Sequence, residues 1–337
     1  MKLSFKNLEL SLEYPFGIAS YTRTSHPIVS ISITQNGMVG YGEASMAKYL
    51  GETQESVGNF LKKVDLSNFC AQNSIESIMT YVEELAPNNT AAKTAIDIAL
   101  HDLRGKLLGV PCYQFVQADP KNMPVTSLTI GIDNLDMIRK KVRGAAGFKA
   151  LKIKLGSHQD KEIINTVREE TEVPLYIDAN QGWTDKHEAL EMIHWLAEKG
   201  TEFIEQPMDR NNRDDNAWIT AHSPIPIIAD EAMQRLSDLE NLKGLYHGIN
   251  IKLMKCTGLL EASKIISSAR ALDLKIMVGC MSETSCGIMA GAAIAPLCDW
   301  ADLDGPWLIT NNPFEKPMLV DGKIQLKNQA GLGLTLL

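Results

Sequence analysis

The sequence predicts an α/β protein in which a (β/α) barrel follows a smaller α+β region, and three observations support this prediction. From Pro124 onward, short apolar runs alternate with longer stretches of helical period, such as residues 185–199. Before that point, strand-like runs at residues 3–12 and 28–34 precede helix-like segments. Charged residues also recur at the ends of the later runs, at a spacing typical of β/α units.

The N-terminal region, about the first 120 residues, is typical of an α+β domain. Residues 17–26 lack a hydrophobic period and end before a proline, so we expect a mobile loop between the first two strands. Residues 91–108 carry apolar side chains at helical spacing, and Gly109-Val110-Pro111 is a helix-stop signal.

Eight apolar runs follow, and each is a candidate strand. Their nearly continuous apolar character predicts strands covered on both faces, and the helical stretches between them imply a parallel sheet. Eight such units fit a (β/α) barrel, although an open doubly wound sheet has the same alternation. The runs are residues 125–132, 150–155, 175–178, 202–205, 225–230, 249–253, 275–280 and 301–304.

Charged residues near the C-terminal ends of these runs favour the barrel. Taken singly, each is explained as a cap or turn residue, but six in register are not. In a barrel they would all meet at the face where active sites are built, whereas in an open sheet they would spread along an edge. The residues are Lys154, Asp178, Glu205, Asp230, Lys252 and Asp302.

Three carboxylates on adjacent strands, Asp178, Glu205 and Asp230, predict a metal site. They would repel one another in a partly desolvated barrel mouth unless a cation lay among them. Oxygen ligands select a hard cation, and a sparse set that leaves room for water and substrate favours Mg²⁺ over Ca²⁺. The alternative is a carboxylate cluster paired with lysine or arginine.

Lysines on two opposite strands predict proton transfer. Lys152 and Lys154 are two residues apart and face the same side of the sheet, so mutual repulsion, burial and a nearby metal are expected to lower the pKa. Lys252 lies four strands away, across the mouth, and two bases on opposite faces of one carbon are what an inversion needs. Lys255 is the rival candidate, but it lies past the strand end, so we expect it to be positional or solvated.

Composition limits the class of partner. A net charge of −8 and a pI near 5.5 argue against nucleic acid or an anionic membrane, because both require a basic field. No apolar run approaches the roughly 20 residues that cross a bilayer, and the N-terminus does not resemble a signal peptide. The six cysteines form no CxxC pair, so structural zinc and disulfides are not expected. We expect a cytoplasmic protein with a small-molecule partner, and the sequence leaves a homo-oligomer open.

Five segments together resemble the muconate-lactonizing subgroup of the enolase superfamily, and its dipeptide epimerases in particular. Residues 151–154 (Leu-Lys-Ile-Lys) resemble the KxK base motif, and residues 250–255 (Asn-Ile-Lys-Leu-Met-Lys) resemble the opposing-base strand. Residues 177–180, 204–207 and 229–231 resemble the three metal-ligand motifs. The similarity also covers residues 95–97 through 109–111, so it spans nearly the whole chain.

The resemblance implies a (β/α)7β TIM-like barrel at residues 121–311, capped by an α+β domain that residues 1–120 and the C-terminal segment 312–337 form together. Loops around Arg23 and at residues 46–51 would close over the substrate and exclude water. The reaction would be a 1,1-proton transfer at the alpha carbon of the C-terminal residue of a dipeptide. The implied site consists of Lys154 and Lys252 as catalytic bases, Lys152 as a substrate contact, and Asp178, Glu205 and Asp230 as Mg²⁺ ligands.

Asp302 and Asp304 resemble the DxD motif with which dipeptide epimerases hold the free ammonium group of the substrate. Two carboxylates suit a cation, whereas they repel succinyl or lactone substrates. Arg23 resembles the loop arginine that binds the glutamate side chain in Ala-Glu epimerases, which implies L-Ala-D/L-Glu as substrate and a role in murein peptide metabolism. The alternatives are a dipeptide epimerase of broad or hydrophobic specificity, an N-acylamino acid racemase, an o-succinylbenzoate synthase and a cycloisomerase.

Functions of other classes fit the residues less well. A metal-binding protein without catalysis would keep the three carboxylates but would not need both Lys154 and Lys252. A Schiff-base lyase would need one lysine and no metal. A sugar-acid dehydratase would place histidine at late strand ends, where none of the seven histidines lies.

Overall fold

The computed structural model describes residues 1–18, 21–70 and 72–337, without the side chain of Lys48. A three-stranded antiparallel sheet and its helices form a cap, and eight parallel strands form a nearly closed barrel. The predicted fold class, a (β/α)7β barrel with an α+β cap, is therefore confirmed. The domain bounds after residues 120 and 311 stay a prediction.

The cap sheet has the order β1 (Lys2–Ile18), β2 (Tyr21–Gln35) and β3 (Met38–Ser45). Asn36 and Gly37, with φ of 52° and 76°, form the two-residue turn between β2 and β3. Left-handed backbone at both positions matches the twist of a tight hairpin, and it explains the Asn-Gly sequence.

The mobile loop expected at residues 17–26 is wrong for the part that the structure describes. Gly17 pairs with Thr22, and Phe16 pairs with Arg23, so β1 and β2 continue as a hairpin on either side of residues 19–20, which lie outside the described residues. Backbone hydrogen bonds between the strands hold this hairpin together. They do not require a hydrophobic period, so the sequence contains no strand signal here.

The helices of the cap are α1 (Gln54–Leu61), α2 (Ile75–Glu84) and α3 (Thr90–Leu108). α3 confirms the helix predicted at residues 91–108, and it ends at Gly109, whose φ is 70°. It packs closely on β3, as the position of Gly42 shows. A Cβ added to this glycine would lie 2.0 Å from the carbonyl oxygen of Ala95. Only glycine allows this approach of sheet and helix.

All eight candidate barrel strands are present, and they are β4 (Leu128–Ile130), β5 (Leu151–Lys154), β6 (Leu175–Asp178), β7 (Thr201–Glu205), β8 (Ile227–Ala229), β9 (Gly248–Lys252), β10 (Lys275–Gly279) and β11 (Trp300–Asp302). The helices of this region are α4 (Leu135–Gly144), α5 (Asp160–Glu170), α6 (Lys186–Glu198), α7 (Arg213–His222), α8 (Leu259–Ala271), α9 (Ser285–Ile294) and α10 (Gly305–Leu308). A parallel bridge between Thr126 and Ala301 links the first and last strands. The ring therefore brings all eight C-terminal strand ends to one mouth.

An apolar layer fills the barrel interior below that mouth. Tyr176 stacks on Phe203 with ring centroids 4.6 Å apart, and both are buried with Ala150, Ile228 and Met277. Because side chains two residues apart in a strand share a face, the residues two positions after this layer, toward the C-terminal end of each strand, also face the interior. The hydrophobic layer thus forms the floor of the cavity above it.

The C-terminal segment returns to the cap, as expected. It contains the short hairpin β12 (Leu319–Val320) and β13 (Lys323–Ile324), and the backbone N–H of Leu332 donates to Asp102 of α3 at 2.8 Å. Cap and barrel also meet where buried Asp97 of α3 accepts from the N–H of Leu259, at the start of α8, at 2.6 Å. All six cysteines are free, and no described helix is long and apolar enough to span a membrane.

Candidate active site at the barrel mouth

A cavity of about 450 Å³ lies between the cap and the C-terminal ends of the barrel strands. Seven of the nine predicted site residues line it, namely Arg23, Lys152, Lys154, Asp230, Lys252, Asp302 and Asp304. The other two, Asp178 and Glu205, are fully buried and contact Lys152. The structure therefore brings the whole predicted set to one place.

Asp178, Glu205 and Asp230 form one cluster, in which the candidate ligand oxygens all lie within 4.8 Å of one another. It is the only such cluster of possible metal ligands found among the described residues. Burial, and then the charge of Asp178, raise the pKa of Glu205 to about 7. Burial also opposes the ionised form of Asp178, but the ammonium groups of Lys154 and Lys152 outweigh it and lower that pKa to about 2.

The Lys152 ammonium lies among three carboxylates. Its Nζ is 2.6 Å from Glu205, 3.0 Å from Asp302 and 3.1 Å from Asp178. Burial disfavours the charged amine, but these carboxylates outweigh burial and raise the pKa well above its usual value. The sequence predicted a lowered pKa from a second lysine, burial and a nearby metal ion, whereas the carboxylate neighbours of Lys152 act in the opposite direction.

Lys154 and Lys252 lie on strands four apart in the eight-stranded order, on either side of the carboxylate cluster. Lys154 donates to Asp178, and Lys252 donates to Asp230, each at 2.6 Å. Burial opposes the charge of Lys252, but Asp230 outweighs it and raises the pKa. The two amines are thus fixed on opposite sides of one cavity.

Lys255 is buried and not solvated, which corrects one of the two roles expected for it. Its Nζ donates to the Asp230 carboxylate at 2.6 Å, and to the backbone carbonyls of Asp230 and Asn250 at 2.7 and 3.0 Å. These bonds use all three of its hydrogens, so Lys255 positions Asp230 and has no proton donor free for a substrate.

Asp302 and Asp304 lie where the last strand of the barrel meets the first. Asp302 accepts from the Ser127 hydroxyl at 2.7 Å, and Asp304 accepts from the backbone N–H of Thr129 at 2.6 Å. Burial and the charge of Asp302 raise the pKa of Asp304 to about 7. Two adjacent carboxyl groups with one lysine partner favour a further cation at this end of the cavity.

The cap supplies the opposite wall of the cavity. Arg23 lies on β2 and not in the expected loop, and its guanidinium reaches Ser282 of the barrel at 2.8 Å. The predicted loop at residues 46–51 contains a short 3-10 helix, Lys48–Leu50, and Ala47 and Tyr49 of this segment line the cavity. Both cap segments that were expected to cover the substrate therefore border the site.

The carboxylate cluster fits a hard divalent cation on its chemistry. Its donors are all oxygens, and the three carboxylates come from neighbouring strands whose register aligns Asp178 with Glu205. Buried carboxylates at this separation need positive charge, and the lysine ammonium groups contact them for the same reason.

Several site residues escaped the sequence analysis. Asn250 donates to Glu205 at 2.7 Å, and Ser127 and Thr129 support the Asp302–Asp304 pair. The sequence contained a signal for Asn250, because it precedes Lys252 by two residues and must share its strand face. The neighbourhood of His26 and Ser282 had no such signal, since these residues come from the cap and from a loop after β10.

Two family models match the chain. Residues 4–116 match the N-terminal domain of the mandelate racemase / muconate lactonizing enzyme family, and residues 137–337 match the enolase C-terminal domain-like family. Together they cover most of the chain.

Individual relatives agree with these models. The chain is 52% identical over 335 residues to the L-Ala-D/L-Glu epimerase of Bacteroides thetaiotaomicron, covering 99% of this chain and 88% of that protein. A substrate-liganded L-Ala-D/L-Glu epimerase from Bacillus subtilis has a TM-score of 0.91 at 27% identity, with 99% and 98% of the chains covered. A dipeptide epimerase from Enterococcus faecalis, complexed with Mg and L-Leu-L-Tyr, has a TM-score of 0.89 at 33% identity, with 99% and 98% covered. The chain therefore belongs to the mandelate racemase / muconate lactonizing enzyme family of the enolase superfamily, and within it to the dipeptide epimerases.

Proposed function

We propose that this protein interconverts the epimers of L-Ala-D/L-Glu, and that Mg²⁺ is its cofactor. The observation that carries the reaction type is the placement of Lys154 and Lys252 on opposite sides of the cluster of Asp178, Glu205 and Asp230. An inversion needs a proton acceptor on one face of a carbon and a proton donor on the other.

Each residue has a defined part in the proposed reaction. One of the two lysines, as a free amine, takes the proton from the alpha carbon of the C-terminal residue, and the other, as an ammonium, returns a proton to the opposite face. Mg²⁺, held by the three carboxylates, would stabilise the negative charge that develops on the substrate carboxylate. Lys152, whose Nζ lies among the same carboxylates, would contribute to binding that same anion.

The amino end of the substrate would bind at Asp302 and Asp304. This pair lies in the same cavity as the lysines, and burial and then the charge of Asp302 raise the pKa of Asp304 to about 7. Two buried carboxyl groups that share one lysine are short of positive charge. An ammonium group relieves that shortage, whereas an acyl or succinyl group does not. Charge therefore favours an unblocked dipeptide over the substrates of the racemase and synthase alternatives.

The acidic side chain would bind at Arg23. The guanidinium lines the cavity, is largely buried, and has hydrogen bonds only to neutral partners among the described residues. A buried cation without a carboxylate partner favours an anionic ligand. This is the observation that supports glutamate as the second residue, and with it a role in metabolism of murein peptides.

A hydrophobic dipeptide is the second candidate substrate. Phe16, Ile18 and Met281 line the same cavity near Arg23, and the guanidinium lies 5.6 Å from the centroid of the Phe16 ring. An apolar side chain would bury this surface, as the complex of the Enterococcus relative with L-Leu-L-Tyr illustrates for that protein.

Incubating a dipeptide library with the enzyme in D₂O tests both proposals. We expect Mg²⁺-dependent deuterium incorporation at the alpha carbon of the C-terminal residue, with the highest kcat/KM for L-Ala-L-Glu and L-Ala-D-Glu. No exchange with any dipeptide would reject the reaction type. Faster exchange with apolar second residues would reject only the glutamate preference.

A further inference from the structure

Arg23 is held at both terminal nitrogens. One donates to Nδ1 of His26 at 2.6 Å, and the other donates to the hydroxyl of Ser282 at 2.8 Å, while the buried Nε has no hydrogen-bond partner within the described chain. An arginine side chain has many rotamers, so two directed bonds greatly restrict where its charge lies.

The bond to Arg23 fixes the tautomer of His26. A guanidinium cannot accept a hydrogen bond, so Nδ1 must be the acceptor and Nε2 must carry the hydrogen. Nε2 lies 2.8 Å from the hydroxyl of Ser45, to which it donates. Burial and the charge of Arg23 lower the pKa of His26 to about 3, so the ring remains neutral beside the guanidinium.

The relay continues into the barrel. Ser45 accepts from His26, and its own hydroxyl donates to the backbone carbonyl of Ser282 at 2.8 Å. Ser282 thus receives one bond from Arg23 and one from Ser45. Arg23, His26 and Ser45 lie on cap strands, whereas Ser282 follows β10 of the barrel. A closed ring of hydrogen bonds therefore crosses the cap–barrel boundary beside the cavity.

We propose that His26, Ser45 and Ser282 are positioning residues that hold Arg23 for an acidic side chain, and so determine the preference for L-Ala-D/L-Glu over neutral dipeptides. The inference rests on the proposed function. All three residues are neutral, so they fix the guanidinium and leave its charge available. A carboxylate partner would instead neutralise it. A guanidinium fixed in advance loses less conformational entropy when the substrate binds.

Substitutions at His26 separate the two hydrogen bonds. His26→Asn keeps an acceptor near the position of Nδ1, His26→Gln keeps a donor near Nε2, and His26→Leu keeps neither. The measured quantity is the ratio of kcat/KM for L-Ala-L-Glu to that for L-Ala-L-Val. We expect His26→Leu to lower this ratio about tenfold, chiefly through KM for the acidic dipeptide, and His26→Asn to retain most of it.

A double-mutant cycle shows whether His26 acts through Arg23. In the Arg23→Leu background, His26→Leu should leave the ratio unchanged, because the guanidinium that it positions is gone. The matched control is His194→Leu, which alters an exposed histidine of α6. Thermal melting identifies variants that fail to fold, and in that case Ser282→Ala, which keeps the carbonyl that Ser45 uses, provides the same test.

The outcomes separate this inference from the proposed function. If Arg23→Leu does not change the ratio, both the glutamate preference and the positioning roles are rejected. If Arg23→Leu lowers the ratio but neither His26→Leu nor Ser282→Ala does, only the positioning roles are rejected. Equal losses on both dipeptides in His26→Leu would likewise show a merely structural role.

Discussion

Asp178 and Glu205 are register partners at the C-terminal ends of β6 and β7, and Lys154 is the register partner of Asp178 on the other side. Three strand ends are therefore level, and their charged groups meet above the Tyr176–Phe203 layer. This relationship decides what substitutions at these three positions should do, because Lys154 pairs with Asp178 and Glu205 pairs with Lys152.

Glu205→Gln should weaken Mg²⁺ binding and abolish most activity, because the cation loses one of three carboxylate ligands. Removing a desolvated charge partner costs about 2 kcal/mol or more, which corresponds to at least roughly 30-fold in affinity. Titration calorimetry with Mg²⁺ measures the loss directly. Glu198→Gln, at the exposed end of α6, is the control. Unchanged Mg²⁺ affinity, or full activity after exhaustive chelation, would contradict the assignment.

Lys154→Ala and Lys252→Ala should each lower epimerisation by at least about 10²-fold, because an inversion needs both amines. Each single variant should still exchange the alpha proton of one epimer in D₂O, and the two variants should differ in which epimer. Proton NMR of L-Ala-L-Glu and L-Ala-D-Glu distinguishes them. The control is Lys275→Ala, at the N-terminal end of β10 and away from the mouth, which should have no such effect. Normal turnover by Lys252→Ala would reject the pairing of the two lysines.

Asp304→Asn should lower kcat/KM at least roughly tenfold for any unblocked dipeptide, since it removes one carboxylate from the ammonium site. The amide also cannot provide the second negative charge beside Asp302. Comparing L-Ala-L-Glu with its N-acetyl derivative provides the contrast. If Asp304→Asn affects both substrates alike, the pair does not bind the ammonium group.

Arg23→Leu should lower kcat/KM for L-Ala-L-Glu at least about tenfold more than for L-Ala-L-Val, because only the acidic side chain loses a charge partner. The replacement is apolar and leaves the Phe16 surface available to a hydrophobic side chain. Steady-state kinetics with both dipeptides measures the effect. Equal effects would favour the broad specificity.

Glu283→Gln should stabilise the protein at alkaline pH. Burial, and then the charge of nearby Glu43 in the cap, raise the pKa of Glu283 to about 8, and burial raises that of Glu43 to about 7. The protonated forms favour the fold, so their contribution is complete below the usual carboxyl pKa near 4.5 and is lost as pH rises through 7 to 8. Lys252, the other charged group that acts on Glu283, opposes the shift.

The urea midpoint of the wild-type protein, measured from pH 5 to pH 9, should therefore fall as pH rises. Glu283→Gln should flatten that decline, because its amide is neutral at every pH and can still accept the bond from Met281. Glu198→Gln should retain the wild-type slope. A parallel decline in Glu283→Gln would show that the buried pair is not responsible.

The sequence by itself determined the barrel and the composition of its mouth. Apolar runs and amphipathic helices specify a buried parallel sheet, and charged residues near the ends of six of the eight runs specify what meets where those strands end. Alternation within strands placed Lys152 beside Lys154, and Asp302 beside Asp304, because a period of two is a local property. The fold could be predicted for that reason, and the family could be predicted because the motifs at these strand ends resemble those of its members.

Only the tertiary structure decided which charges are neighbours and what the cap contributes. Lys152 is surrounded by Glu205, Asp302 and Asp178, which raise its pKa, and the spacing of the sequence did not reveal these three neighbours. Arg23 lies in a hairpin that backbone hydrogen bonds between strands hold together, and these bonds require no hydrophobic pattern in the sequence. Its partner Ser282 is 259 residues away along the chain. Contacts of that kind depend on how the cap closes on the barrel, and neither periodicity nor local spacing encodes them.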